Sequence, residues 1–347
     1  ELKNEFDYIK LIERIMSKPE NVFIRVSNYE GDIEQLKDHI RILSENWKDY
    51  AELSYVHVFE KGTAFEHREE YTDILKKHWG YEQFRNFSIY DLTKLEEGIK
   101  EVFKVSQEQI ISDLVRQVES SMDPEKEFRD VFVTAPTGAG KSAIFQIPAI
   151  YLAEKYNLLT VVISPLIGLM NDQVKNLEVK NYAAAKTINS DISPILKEDI
   201  INKVSNDEYH ILYISPETLL SRSEVEQLIG KRTIGMIIID EAHIVTTWGK
   251  QFRPDYWYLG DHIKKLRANQ QKTKGQSFVI GTFTATAIYK GIEDMYEETR
   301  NSLHMIDPIT YLGYVRRNDI NIRIEQKKKI KGERNEYEMG KYDEIIE

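Results

Sequence analysis

The 347-residue sequence predicts an α/β fold: a mostly parallel sheet with helices on both faces, preceded by a small α+β accessory region. Three observations predict it. From about Asp130 onward, short apolar runs alternate with amphipathic helical stretches. Those runs lack polar alternation, as strands buried on both faces do. The first 73 residues follow a different pattern, and the chain is long enough for two domains rather than one.

Taken in chain order, residues 1–73 mix helix-like stretches (Glu5–Met16, Asp32–Trp47) with strand-like ones (Val22–Val26, Ser54–Phe59) and carry no recognisable chemistry. The second domain is expected over 74–318. Its apolar runs are Val131–Ala135, Leu159–Ser164, His210–Ser215, Gly235–Asp240 and Phe278–Phe283. Helices are expected over Lys141–Tyr156, Ile167–Asn176, Pro194–Val204 and Glu217–Leu228. Strands that alternate with helices imply parallel neighbours, because only a crossover can join them. Residues 319–347 hold one strand candidate, Ile320–Glu325. The charge run Lys327-Lys328-Lys329-Ile330-Lys331 then reads as a solvated face or linker.

Composition removes several function classes. The net charge is −10, from 47 basic and 57 acidic residues, which excludes a polycation that coats nucleic acid in bulk. A local basic groove stays possible, since phosphate contacts need only a few placed cations. There is no cysteine, hence no disulfide and no thiolate metal site. No run of about twenty apolar residues suggests a membrane span. The start, Glu1-Leu2-Lys3-Asn4, has no secretory apolar core. A cytoplasmic or nucleoid-associated location is the expectation.

Two motifs carry chemistry. Ala135-Pro136-Thr137-Gly138-Ala139-Gly140-Lys141-Ser142 joins an expected strand to an expected helix, the context of a phosphate-binding loop. Glycines let backbone N–H groups turn toward phosphate oxygens, and the helix start adds positive potential. Thr137, Gly138, Ala139, Gly140, Lys141 and Ser142 are the candidate cradle. Lys141 can reach the β- and γ-phosphates, and the Ser142 hydroxyl can ligate Mg²⁺. The second motif, Ile237-Ile238-Ile239-Asp240-Glu241-Ala242-His243, ends an apolar strand in two carboxylates. Ligands of open parallel sheets sit at the carboxyl ends of strands. Asp240 is the candidate metal ligand and Glu241 the candidate base for the attacking water. His243 is a candidate relay toward a neighbouring lobe.

A phosphate loop together with Asp-Glu-Ala-His resembles the superfamily-two DEAH-box helicases, and further matches point to the RecQ-like group within it. Trp248-Gly249-Lys250-Gln251-Phe252-Arg253-Pro254-Asp255-Tyr256 looks like that group's aromatic-rich loop. Ser164–Val174 is similar to motif Ia, Tyr213–Thr218 to motif Ib and Thr284-Ala285-Thr286-Ala287 to motif III; Gln146-Ile147-Pro148-Ala149 fits the helix after the phosphate loop. The resemblance spans roughly residues 74–325. It implies a RecA-like P-loop NTPase domain, the first of two motor lobes, that uses ATP and Mg²⁺ to move on single-stranded nucleic acid, with DNA favoured. By resemblance, Trp248, Phe252 and Arg253 would stack on bases, while Pro165, Asn171, Gln173 and Ser215 would meet the phosphodiester backbone. Thr284 and Thr286 would couple the two activities.

The pattern departs from the family in two places. His78–Arg85 resembles the adenine-recognition motif, with Tyr81 stacking on the base and Arg85 beside it, but the glutamine expected three residues later is Ser88. Gln107, opening a helix, is the replacement if an insertion at about 86–106 splits the motif. Its amide can donate to and accept from an adenine edge. The stretch Ile309–Ile324 looks like the passage into a second RecA-like lobe that supplies arginine fingers. The few residues after it cannot build a domain, so the chain is expected to be part of a larger enzyme, binding nucleotide but hydrolysing it slowly alone. The favoured function is an ATP-dependent helicase or translocase. A nucleotide-dependent switch that remodels protein partners without unwinding is the second reading, and the response of a Trp248→Ala variant separates them.

Overall fold

The computed structural model describes residues 2, 5–18, 22–27, 33–47, 53–58, 66–96, 98–136, 138–220, 229, 231–246, 256–285 and 294–314. The N-terminal residues form helix α1 (Glu5–Ser17), strand β1 (Val22–Ser27), helix α2 (Ile33–Trp47) and strand β2 (Leu53–Val58). β1 and β2 pair in parallel, with α2 as the crossover. Alternate residues of β1 (Val22, Ile24, Val26) face Ile15 of α1 and Leu36 and Ile40 of α2 in a small core of their own. The region is therefore a βαβ unit.

The second domain starts with helix α3 (Arg68–Trp79), and the boundary expected at residues 73/74 falls inside it. Tyr71, Ile74 and Leu75 of this helix are buried in the main core, so the helix belongs to the lobe from its first turn. Its end is set by Gly80, whose left-handed conformation (φ 72°) lets the N–H close on Lys76. Strand β3 (Asn86–Tyr90), the short helix α4 (Leu92–Glu96) and strand β4 (Val102–Ser106) follow. β3 and β4 pair antiparallel, with Asn86 opposite Ser106, so the segment expected as an insertion is a hairpin whose two ends meet.

The remaining elements are α5 (Gln107–Ser121), β5 (Val131–Thr134), α6 (Lys141–Tyr156), β6 (Leu159–Ile163), α7 (Ile167–Val179), β7 (Ala185–Ile188), α8 (Pro194–Ser205), β8 (Ile211–Ile214), α9 (Pro216–Leu220), β9 (Ile234–Asp240), a 3-10 turn (Ala242–Val245), α10 (Tyr256–Lys274), β10 (Val279–Thr284), α11 (Met295–Ser302) and β11 (Ile309–Leu312). Among the described residues, seven strands make one sheet in the order β11-β5-β10-β9-β6-β8-β7, with every pairing parallel. Side chains alternate across it. Val131 and Val133 of β5, Met236 and Ile238 of β9 and Val279 and Phe283 of β10 face one core. Phe132, Ile237, Ile239 and Ile280 face the other. Both sides are apolar because helices cover both, each fully buried side chain contributing about 1.5–3 kcal/mol.

The five expected strands and the helices α6, α7 and α8 lie within a few residues of their expected bounds. Of the helix expected over Glu217–Leu228, α9 covers the first part, and residues 221–228 lie outside the described residues. The strand candidate Ile320–Glu325 and the lysine run after it lie outside them too. One expectation is corrected. Ile309–Leu312, read as the start of a passage into a second lobe, is an edge strand of this lobe's own sheet, paired with β5. Among the described residues, no helix is long and apolar enough to cross a membrane.

Candidate nucleotide site and nucleic-acid face

The strand order decides the site. β5, which ends in the phosphate loop, and β9, which ends in Asp240, flank β10. Thr284 pairs with Thr134 on one side, and Phe283 with Asp240 on the other. With about 4.8 Å between strands, the two motifs open on one sheet edge roughly 10 Å apart.

The phosphate loop turns through Gly138 (φ 85°) and Gly140 (φ 77°), both left-handed, and α6 begins at Lys141. A side chain at Gly138 would meet nothing, so the cradle is open there; a Cβ on Gly140 would strike the Gln107 amide at 2.6 Å. The Lys141 ammonium donates to the Ala135 carbonyl, 3.3 Å away, a bond that a phosphate can displace. The Ser142 hydroxyl accepts from Gln173 Nε2 at 2.8 Å. Thr137 lies outside the described residues.

Opposite it, Asp240 is nearly buried. Burial, followed by the charge of Glu241, pushes its carboxyl up to about 6; the Lys141 charge acts in the other direction. Glu241 is held below its usual range, first by a hydrogen bond with His243, and again Lys141 contributes. The Lys141 charge thus acts on both carboxylates across the sheet edge that the two motifs share. Glu241 itself adopts a left-handed backbone (φ 52°), a strained conformation for a non-glycine residue. His243 Nδ1 lies 3.3 Å from Glu241 Oε2 and 3.1 Å from the hydroxyl of Thr284, which is buried. Thr284 is thereby joined to the acidic box. Thr286 lies outside the described residues.

The adenine motif is assembled across the hairpin. The Gln107 N–H donates to the Arg85 carbonyl (2.9 Å), and Gln107 Oε1 accepts from the Arg85 N–H (3.1 Å). Gln107 Nε2 donates to the Ala139 carbonyl at 2.7 Å, which ties this helix start to the phosphate loop. The Gln107 amide is thus buried against backbone instead of standing free for a base. Arg85 lies 5.5 Å from the ring of the half-exposed Tyr81, and its guanidinium reaches the Gly138 carbonyl at 3.5 Å.

The expected nucleic-acid contacts separate into two groups. Asn171 is exposed on α7. Pro165, Ser215 and Gln173 are packed against the lobe itself. Pro165 is buried. Ser215 is buried and caps α9, its hydroxyl accepting from the Thr218 N–H and meeting the Thr218 hydroxyl at 3.0 Å. Gln173 faces inward to Ser142. Trp248, Phe252 and Arg253 lie outside the described residues. Sequence reasoning assigned no role to Gln146 or Tyr213, which extend the Ser142–Gln173 contact: Gln146 Nε2 donates to Gln173 Oε1 (2.9 Å) and to the Tyr213 hydroxyl (2.8 Å). The available signal was a glutamine inside a helix buried all round, where only a partnered polar group is stable.

The parallel sheet with helices on both faces is the RecA-like fold of a helicase lobe. A family profile described as DEAD/DEAH box helicase matches residues 106–295, more than half of the chain, and the chain belongs to that family. Within it, the chain is 34% identical over 222 residues to an ATP-dependent DNA helicase RecQ of Synechocystis sp., covering 63% of this chain and 38% of that protein. It is 36% identical over 202 residues to RecQ of Haemophilus influenzae, covering 58% and 29%, and 33% identical over 197 residues to a probable ATP-dependent DNA helicase RecS of Bacillus subtilis, covering 57% and 36%. The chain thus spans under two fifths of the length of these relatives. A solved structure, the DUF1998 helicase MrfA bound to DNA, aligns with 70% of this chain and 29% of its own at 15% identity and a TM-score of 0.46.

Proposed function

We propose that this chain is the ATP-binding motor lobe of an ATP-dependent helicase or translocase acting on single-stranded nucleic acid, DNA by preference. The observation that carries this reading is the convergence of Lys141, Ser142, Asp240 and Glu241 on one sheet edge, with Lys141 acting on both carboxylates. The similarity to an ATP-dependent DNA helicase RecQ and to a probable ATP-dependent DNA helicase RecS supports it.

In this reading the Lys141 ammonium exchanges the Ala135 carbonyl for the β- and γ-phosphates, and the backbone of Gly138–Ser142 closes around them. A hydroxyl and a buried carboxylate with a raised pKa form a hard oxygen donor set that a small divalent cation relieves of its desolvation, so Ser142 and Asp240 fit Mg²⁺. The cation supplies charge neutralisation on the phosphates. Glu241, held ionised, takes a proton from the attacking water, and the His243–Thr284 contact senses its position. Tyr81 stacks on the adenine and Arg85 packs beside it. Gln107 orients both from its place against the phosphate loop, and exchange of its backbone partners for the adenine edge would let its amide read the base. Asn171 and the first turn of α7 meet the nucleic-acid backbone, and Trp248, Phe252, Arg253 and Thr286 complete that face and its coupling. A second RecA-like lobe in the natural protein closes over the nucleotide, and the N-terminal βαβ unit is an accessory region. The location is the cytoplasm or nucleoid.

ATP hydrolysis by the natural full-length protein, measured with and without single-stranded DNA, tests the reading. Stimulation by DNA is expected, and Lys141→Ala should abolish it. Near-wild-type stimulated turnover in that variant would falsify the assignment.

A further inference from the structure

The side chains of Gln146, Gln173 and Ser142 form a hydrogen-bond chain whose direction is fixed by chemistry. An amide NH₂ can only donate, and an amide oxygen can only accept. Gln146 therefore gives one hydrogen to the Tyr213 hydroxyl and the other to Gln173 Oε1, and Gln173 gives one to Ser142 Oγ. A serine hydroxyl has two lone pairs and one hydrogen. With one lone pair taken by Gln173, the rotor is held, and what remains is one lone pair for a cation and one O–H for a phosphate oxygen. The chain starts in a dry environment: Gln146 is 2% exposed and Tyr213 is fully buried. Loss of one link there leaves a donor or acceptor unpaired, so the links stand or fall together.

The ends of this chain matter. Gln173 lies on α7, two residues after the exposed Asn171. Tyr213 lies on β8, two residues before Ser215, the cap of α9. Of the two elements, α7 carries the proposed nucleic-acid contact, through Asn171 and its first turn.

We propose that Gln173 is a positioning residue for the Ser142 hydroxyl, and that Gln146 and Gln173, anchored on Tyr213 of β8, form a relay through which α7 sets the cation site according to what occupies the nucleic-acid face. The proposal rests on the reading that ATP with Mg²⁺ binds at this edge. Gln173 touches no substrate; it acts through Ser142. A shift of α7 on binding a strand moves the donor that holds the hydroxyl, and by linkage the cation-loaded nucleotide alters strand affinity by the same factor.

The test uses the natural full-length protein and a fluorescent ATP analogue, titrated over a series of Mg²⁺ concentrations with and without a single-stranded oligonucleotide. Gln173→Met keeps the volume and removes both hydrogen bonds. It is expected to raise the Mg²⁺ needed for half-maximal analogue binding about tenfold and to bring the analogue–strand coupling factor close to one. Gln146→Met should do the same, and the double variant should be no worse than Gln173→Met, because the residues act in one chain. A purely structural role would lower the melting temperature without moving the Mg²⁺ dependence. If either variant is too unstable to assay, hydrogen exchange on the wild type replaces it: the Mg²⁺-loaded analogue should slow exchange in residues 170–176, and unchanged exchange overturns the relay. Failure of the wild type to bind the analogue at any Mg²⁺ concentration overturns the nucleotide assignment and the relay with it. Wild-type binding with Gln173→Met indistinguishable in Mg²⁺ dependence and coupling overturns the relay alone.

Discussion

The two ends of the central sheet treat buried charge in opposite ways. At the amino end, just before β5, Asp130 is fully buried, and its carboxylate accepts from Arg267 (2.7 Å), from the Ile280 N–H (2.7 Å) and from the Ile306 N–H (2.6 Å). Arg232, just before β9, pairs with Asp207 at 2.8 Å and donates to the carbonyls of Val204, Tyr209 and Asn157. At the carboxyl end, Asp240 and Glu241 stand side by side, Lys141, whose charge acts on both, donates to a backbone carbonyl, and Glu241 sits in a strained conformation. At the amino end Asp130 and Arg232 each have an opposite charge, and Asp130 fastens three strands together. The carboxyl end leaves like charges adjacent, an arrangement that costs stability and that a ligand with positive charge at one point and phosphate at another relieves. Structure is held at one end so that reactivity can be held at the other.

That contrast can be broken residue by residue. The largest effect is expected at the reactive end: Glu241→Gln should cut DNA-stimulated hydrolysis about 100- to 10,000-fold while nucleotide binding persists, measured by turnover alongside equilibrium binding. Retained turnover would remove Glu241 from the chemistry. At the structural end, Arg267→Met leaves Asp130 without its counter-charge and should lower stability by about 3–5 kcal/mol in urea denaturation; a loss under about 1 kcal/mol would mean the pair does not hold the strands. A smaller effect is expected where the two functions join. Thr284→Val removes the hydroxyl next to His243 and should weaken coupling between strand and nucleotide by about 0.5–2 kcal/mol, read from the affinity for one with and without the other. The smallest is at the cap of α5, where the Ser106 hydroxyl accepts from the Gln109 N–H at 3.1 Å. Ser106→Ala should cost about 1 kcal/mol of thermal stability, and no change would show that Gln107 is held by the phosphate loop and Arg85 alone.

Much of the lobe was legible because its signals are local. Val131–Thr134, Ile234–Asp240 and Val279–Thr284 are mostly apolar and fully buried, and Lys141–Tyr156 follows a glycine turn, so strand, loop and helix could each be read within a window of a few residues. The edge strands were harder. Ala185–Ile188 contains a lysine, and Ile309–Leu312 is short and pairs on one side only, so neither presents the continuous pattern of a central strand. Side-chain direction was harder still. Asn171 and Gln173 are two positions apart in one motif, yet one faces solvent and the other turns inward to Ser142, because a helix rotates by about 200° over two residues. Ser215 sits where a strand ends and a short helix begins, and capping that helix takes its hydroxyl before any ligand can.

By itself, the order of residues determined the phosphate loop, the acidic strand end and the parallel α/β plan, since each depends on neighbours a few positions apart. Only the folded chain decided that β10 lies between β5 and β9, that a hairpin returns Gln107 to Arg85, and that Gln146 and Gln173 meet Ser142. Those contacts join residues distant along the backbone, and their free energy depends on burial and hydrogen-bond geometry that exist only once the layers have packed.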